Sequence, residues 1–308
     1  MIMFLTAWLG SLPTFMTPLL LASLGLLICE RAGVLNLGVE GVMAVAAMTG
    51  AAACMKGISP GWALICAAFA ALLVSIPYIV AVVAFRAPQI PAGLALVAIG
   101  LGASMALGRD FAHKPFSGLS DVPLPEVLTS LPLVGRLLFQ QDAVVYIALI
   151  LAALASVFLF RTRAGLMLRA TGEDPATADT VGVDVSLVQA LALASGSLLI
   201  GLAGGYLSVA GSQIWTEGMV AGRGWIALAL VVFVQWSPTR AIAGAALFGG
   251  AQAFIPRLQA LGLEVPIYLL SMFPYVLTIA VLLAASRRAR GRQQEPLGLG
   301  KVYIRQDR

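Results

Sequence analysis

An all-α, polytopic transmembrane helical bundle is the fold class this chain predicts, and three observations predict it. Of its 308 residues, 60% are hydrophobic and only 11% charged, against about a quarter charged in soluble domains. Several runs supply the roughly 20 apolar residues that a helix rising about 1.5 Å per residue needs to cross a bilayer core about 30 Å thick. The ten-residue alternation of a transmembrane strand is absent.

Nine spans are expected, within a range of eight to ten, at about 9–29, 37–55, 61–84, 91–108, 143–160, 187–210, 224–236, 240–257 and 266–285. The opening MIMFLTAWLGSLPTF lacks the positive n-region of a cleaved signal peptide, so it reads as an uncleaved first span. Polar residues and glycines at 30–41 part the first span from the second. Between Arg109 and Asp142 lies the longest polar break, with Pro115, Pro123, Pro125 and Pro132 and the apolar stretch Val127–Val134; short surface helices are expected there. A charged island, 161–185, precedes the span at 187–210. In that span Gly201 and Gly205 form a GxxxG pair that lets helix backbones approach; Gly244, Gly249 and Gly250 enrich a later one. The run at 224–236 is short, hence tilted, continued by residues near Thr216, or broken. A basic tail, 286–308, follows a permease domain of about 1–285 and reads as a stop-transfer flank with a flexible end at the headgroups.

The net charge of +5 does not indicate nucleic acid, because the arginines are scattered over loops and tail with no aromatic-studded basic face. They do orient the chain. With the 161–185 loop in the cytoplasm, Arg31, Arg86, Arg161, Arg163, Arg169, Arg240, Arg287, Arg288, Arg290, Arg292, Lys301, Arg305 and Arg308 lie inside. Lys56, Arg109, Lys114, Arg136, Arg223 and Arg257 lie outside, a ratio of 13 to 6 among the 19 basic residues. Cytoplasmic loops carry the excess, so the N-terminus is expected outside and the tail inside.

Three constellations interrupt the apolar sequence. In Glu30-Arg31-Ala-Gly33-Val-Leu-Asn36-Leu-Gly38-Val-Glu40-Gly41, one reading is a tight turn with Glu30 and Arg31 at the headgroups. The other is a broken helix whose polar groups line a water-filled path. Glu40 favours the second, because a charge one turn into a span costs on the order of 2–3 kcal/mol unless paired or hydrated. In Glu173-Asp174-Pro175-Ala176-Thr177-Ala178-Asp179-Thr180-Val181-Gly182, Asp174 suits an N-cap, Pro175 the first helical position and Gly182 a left-handed stop. A helix of about seven residues is marginal alone, so a tertiary or partner groove must stabilise it. The third, Gly211–Trp225, holds Gln213, Trp215, Glu217, Arg223 and Trp225 on the expected outer side. Interfacial anchoring explains the tryptophans more simply than ligand stacking, although Gln213, Arg223 and Trp225 suit a hydroxyl-rich or planar solute.

Enzyme signatures are missing. The single histidine, His113, sits beside Asp110 and Lys114, which rules out a two-histidine metal site, and Cys29, Cys54 and Cys66 have no ligand spacing and read as small apolar fillers. No GxxxxGK[ST] loop exists: Val302 follows Gly300-Lys301, and Glu295 stands at the first glycine position.

With these residues in view, the chain resembles the membrane permeases of ABC importers of the ribose, branched-chain amino acid and nucleoside group, nearest to the shorter permease of simple-sugar/nucleoside systems. ERAGVLNLGVEG at 30–41, RAGLMLRATGEDPATADTVGVDV at 163–185 and GRGWIALALVVFVQWSP at 222–238 carry the likeness. The resemblance implies a type II importer fold in a bacterial cytoplasmic membrane and a pairing with a second, longer permease. It implies two ATPase subunits below and an external solute-binding protein above. No cofactor is expected on this chain; ATP and Mg belong to the ATPases. The resemblance maps the ATPase-coupling helix onto Asp174–Gly182, the pore-facing turn onto Gly33–Gly41, and the outer mouth onto Gly222–Trp225. Nucleosides or purine-type compounds, then simple sugars, are the implied solutes. The rival reading is an ion-coupled secondary transporter, which requires buried ionisable residues such as Glu40, Glu30 or Arg31 at mid-span.

Overall fold

A backbone in hydrocarbon has no water to satisfy it, so the apolar runs close their hydrogen bonds within themselves as helices. The computed structural model describes residues 2–123, 125, 135–260, 272, 276, 279, 280, 283 and 295–304. Its helices are α1 (Ile2–Arg31), α2 (Val39–Met55), α3 (Pro60–Ile79), α4 (Gln89–Gly108), α5 (Ala143–Arg161), α6 (Arg163–Glu173), α7 (Pro175–Thr180), α8 (Val185–Tyr206), α9 (Arg223–Phe233) and α10 (Pro238–Ala260). Single π-helical stretches prolong α3 over Val80–Ala84 and α8 over Leu207–Ser212. Among the described residues, five helical stretches are long and apolar enough to cross a membrane: Leu5–Arg31, Pro60–Ala84, Gln89–Phe111, Ala143–Arg161 and Val185–Ser212. α2 and α9 are apolar but shorter. The expected span at 266–285 falls mostly, and Val127–Val134 wholly, outside the described residues.

α1 is the central column. Leu19, Leu20, Leu21, Leu24, Leu26 and Leu27 are fully buried because α8, α10 and α9 surround it. α3, α4 and α5 instead turn large apolar side chains outward, among them Phe69, Leu73, Ile99 and Leu154, the surface a bilayer would cover. The GxxxG pair works as the sequence indicates: a Cβ on Gly201 or Gly205 would lie within 2.5–2.7 Å of Ala71 or Ala67 of α3. A second close crossing, Gly41 of α2 against Gly100 of α4, carried no GxxxG signal.

One element differs from expectation. α6 is a helix where the sequence suggested only the first part of a charged loop. Thr162 leaves the helical conformation, and its Oγ1 accepts the Gly165 N–H at 3.0 Å, which starts a new helix at an angle to α5. Its apolar side buries Leu168, while Arg161 and Arg163 remain exposed, the division of an interfacial helix. Among the described residues of the outer break, a 3-10 turn at Arg109–Phe111 and a π turn at Gly135–Phe139 are helical, and residues 113–119 run extended along 209–215. His113, Phe116 and Leu119 donate their N–H groups to the carbonyls of Trp215, Gln213 and Val209 at 2.9, 3.2 and 3.0 Å.

Candidate functional site

The first and third constellations meet. Glu40, in the first turn of α2, accepts the N–H groups of Gly222 and Gly224 on Oε1 and Oε2 at 2.7 and 2.8 Å. Those amides open α9, so a carboxylate completes the exposed N-terminus of a helix and opposes its dipole. The other end of the α9 region is held as well. Gln235 and Trp236 both adopt left-handed conformations, φ +53° and +52°, which present the Trp236 carbonyl to the Arg31 guanidinium at 3.1 and 3.3 Å. The Trp236 Nε1–H donates to Glu30 Oε2 at 2.6 Å. One segment, 30–40, therefore grips α9 at its two termini.

This arrangement explains the shortness of α9. Eleven residues span about 16 Å, roughly half a hydrocarbon core, and Glu40 receives the first turn of the helix. Of the sequence alternatives the broken form is the observed one, since the chain before Arg223 consists of turns. Glu30, Arg31, Asn36 and Glu40 are all buried, from 0% to 8% exposed. Glu30, Arg31 and Glu40 hold the ends of α9, and Glu40 also lines a small cavity with Ser104, Trp215 and Thr216. The irregular stretch between α1 and α2 is satisfied by protein: Leu35 N–H donates to Gln89 Oε1 and Tyr78 Oη–H to the Leu35 carbonyl, each at 2.7 Å, while Asn36 Oδ1 accepts the Gly38 N–H at 3.1 Å.

Two further expectations at the outer constellation change. Trp215 is 1% exposed and packs against Ala47, Met48 and Ala51, so it plugs the α2 side rather than anchoring at headgroups. Arg223 opens α9 rather than standing free in a loop: its guanidinium donates to the Met219 and Val220 carbonyls at 2.9 and 3.1 Å and to Gln252 Oε1 of α10 at 3.2 Å. It braces the turn that leads into α9. Gln213 and Trp225 remain exposed, Gln213 tied to the Leu119 carbonyl at 3.2 Å.

The second constellation forms α7 with the local chemistry its sequence specifies. Asp174 Oδ1 accepts the N–H groups of Ala176 and Thr177 at 3.0 and 3.2 Å, and Oδ2 accepts the Thr177 hydroxyl at 2.5 Å. The Thr177 hydroxyl and then its amide hold the Asp174 carboxyl below the usual carboxylate range. Pro175 occupies the first helical position and Gly182, φ +89°, closes the turn. Ala178 is buried on the chain's own side, whereas Ala176, Thr177, Thr180 and Val181 are exposed; Asp179 is half-buried.

A junction that the sequence reading missed joins α7 to the first constellation. Gly172, just before Asp174, lies so close to the end of α1 that a Cβ there would collide with the Arg31 carbonyl oxygen and sit 3.1 Å from the Gly33 amide. Gly33 itself takes φ +85°. The available signal was the spacing of these glycines, each following a basic residue by two or three positions in ERAG and RATG. Nothing in one dimension pairs them.

The chain matches the family described as branched-chain amino acid transport system / permease component over residues 9–282, and it belongs to that family. It is 39% identical to a candidate glucose ABC transporter permease protein, TsgC13, of Haloferax volcanii, across 94% of this chain and 95% of that protein. It is 32% identical to the guanosine ABC transporter permease protein NupQ of Bacillus subtilis, across 94% of each. To the nucleoside ABC transporter permease protein NupC of Lactococcus lactis it is 31% identical, across 87% and 88%. The chain is thus a multi-pass membrane permease.

Proposed function

We propose that this member of the permease family forms half of the solute pathway of an ATP-driven importer for nucleosides or related purine compounds, with simple sugars as the next class. Separate ATPase subunits, which use ATP and Mg, dock on α7 from the cytoplasm; a second, longer permease completes the pathway, and an external binding protein delivers solute. The N-terminus is external and the tail cytoplasmic, in a bacterial inner membrane. The relatives named for guanosine, nucleosides and glucose support the solute classes.

One observation carries the mechanism: the exposed α7, through the Gly172 junction, abuts the segment that grips both ends of the half-helix α9. When the ATPases close, displacement of Asp174–Gly182 passes through Gly172 to the end of α1. Glu30 and Arg31 carry it to Trp236, and α9 shifts between two packed positions, the kind of rigid-element switch that alternates access. Gln213 and Trp225 face the solute; Glu30, Arg31, Asn36, Glu40 and Arg223 hold the gate in register.

Replacing Asp174 and Pro175 together with alanine tests this reading. Uptake and solute-stimulated ATP hydrolysis are expected to collapse while the permease stays in the membrane. Unchanged uptake would instead support an ion-coupled transporter that uses the buried carboxylates.

A further inference from the structure

The described part of the tail, residues 295–304, is held against the bundle. Pro296 and Gly298 are buried, and Leu299 packs against the main core. The Gly298 N–H donates to the Gly172 carbonyl at 2.8 Å, Gly300 N–H to the Gly33 carbonyl at 3.2 Å, and the Tyr303 hydroxyl to Asp179 Oδ2 of α7 at 3.0 Å. Residues 296–304 thus lie as a strap across the Gly33–Gly172 junction and reach α7, where the sequence suggested a flexible end.

The strap sorts its side chains. While Leu299 points inward, Leu297, Val302 and Ile304 are 65%, 42% and 70% exposed, next to an α7 whose own Val181 is 74% exposed. Leu297 and Val302 share with Pro175 and Asp174 a groove of about 390 Å³, so the apolar surface is continuous with the start of α7. Aliphatic side chains held outward on a tethered backbone, beyond the membrane spans, call for a covering surface. Glu173 and Asp174 line that groove with one cation, Lys301, and Asp179 accepts the Tyr303 hydroxyl of the strap; three carboxylates against one ammonium disfavour anionic headgroups as that cover.

We infer that Pro296–Ile304 and α7 form one composite docking surface for the ATPase subunit, in which the strap supplies the apolar contacts and α7 the capped, polar handle. This rests on the reading of α7 as the coupling helix. The partner surface it fits is a shallow apolar cleft with basic residues facing Asp174 and Glu173.

Site-specific photo-crosslinking in the assembled transporter separates the two claims. A benzophenone side chain is placed singly at Val302, Ile304, Thr177 and, as a control on the opposite end, Lys56. Adducts to the ATPase from Val302, Ile304 and Thr177 but not Lys56 are the expected result. Adducts from Thr177 alone overturn the composite surface and leave the transport reading intact; adducts from none of the three overturn both. In the variant L297S/V302S/I304S, which keeps every backbone contact of the strap, retention of the ATPase on purified permease is expected to fall by about tenfold. Unaltered retention at equal membrane levels would show the strap to be only a tether.

Discussion

Glu40 sits where a single atom change has a readable cost. Glu40→Ala strands the buried Gly224 amide, an expected loss of about 1–3 kcal/mol, and the half-buried Gly222 amide at a smaller cost, whereas Glu40→Gln keeps one acceptor and should lose less. Thermal unfolding in detergent checks the order: wild type above Gln above Ala, and equal melting of Gln and Ala variants would contradict the paired acceptance. Gly172→Ala acts by crowding, since the added methyl meets the Arg31 carbonyl and neither backbone can retreat. An overpacking penalty of about 1–3 kcal/mol is expected, together with reduced uptake, because the junction transmits the movement of α7. Trp236→Phe keeps an aromatic side chain but loses part of the buried ring and the 2.6 Å bond to Glu30; with Glu30 Oε1 already unpartnered, the lost bond alone should destabilise by about 1–3 kcal/mol.

At the scale of the element, α7 is too short to persist on propensity, and its cap decides its population. The folded Asp174 carboxyl titrates below its unfolded value of about 3.9, because the hydrogen bonds of Thr177 and Ala176 favour the charged form. A depressed group contributes stability that is fully present above the unfolded value and is lost as pH falls through the folded one. Hydrogen exchange at Ala176 and Thr177 should therefore be flat from pH 7 to about 5, after correction for intrinsic rates, and lose protection below about 4; Asp174→Asn should remove that acid step. This element was legible because its signals are local: cap, proline and terminal glycine lie within nine residues. α6 was not, since Thr162 at its start follows a continuous apolar helix and nothing apolar in RAGLMLRAT distinguishes a turn from a continuation.

At the scale of the molecule, the strap, α7 and the end of α1 share one end of the bundle, and Lys56 lies at the other. In a background lacking Cys29, Cys54 and Cys66, an impermeant maleimide on intact cells should modify Lys56→Cys and spare Thr177→Cys and Lys301→Cys until the membrane is opened. Labelling of Thr177→Cys from outside would leave the ATPases nowhere to dock. Separate behaviour of Thr177→Cys and Lys301→Cys would contradict the Gly298–Gly172 contact.

The amino-acid order by itself determined the helical membrane class, the position of eight helices with most ends within three residues, and the make-up of α7, because hydropathy and capping act over distances of a few residues along the chain. It also marked 30–41 and 211–225 as polar interruptions, without relating them. Only the tertiary structure decided that Glu40 and Glu30 with Arg31 hold the two ends of α9, that Trp215 is a plug, and that the tail straps the glycine junction. Those outcomes depend on pairs separated by 124 to 206 positions. A buried charge or a glycine announces that some partner must come close, but which one is settled by how the helices pack.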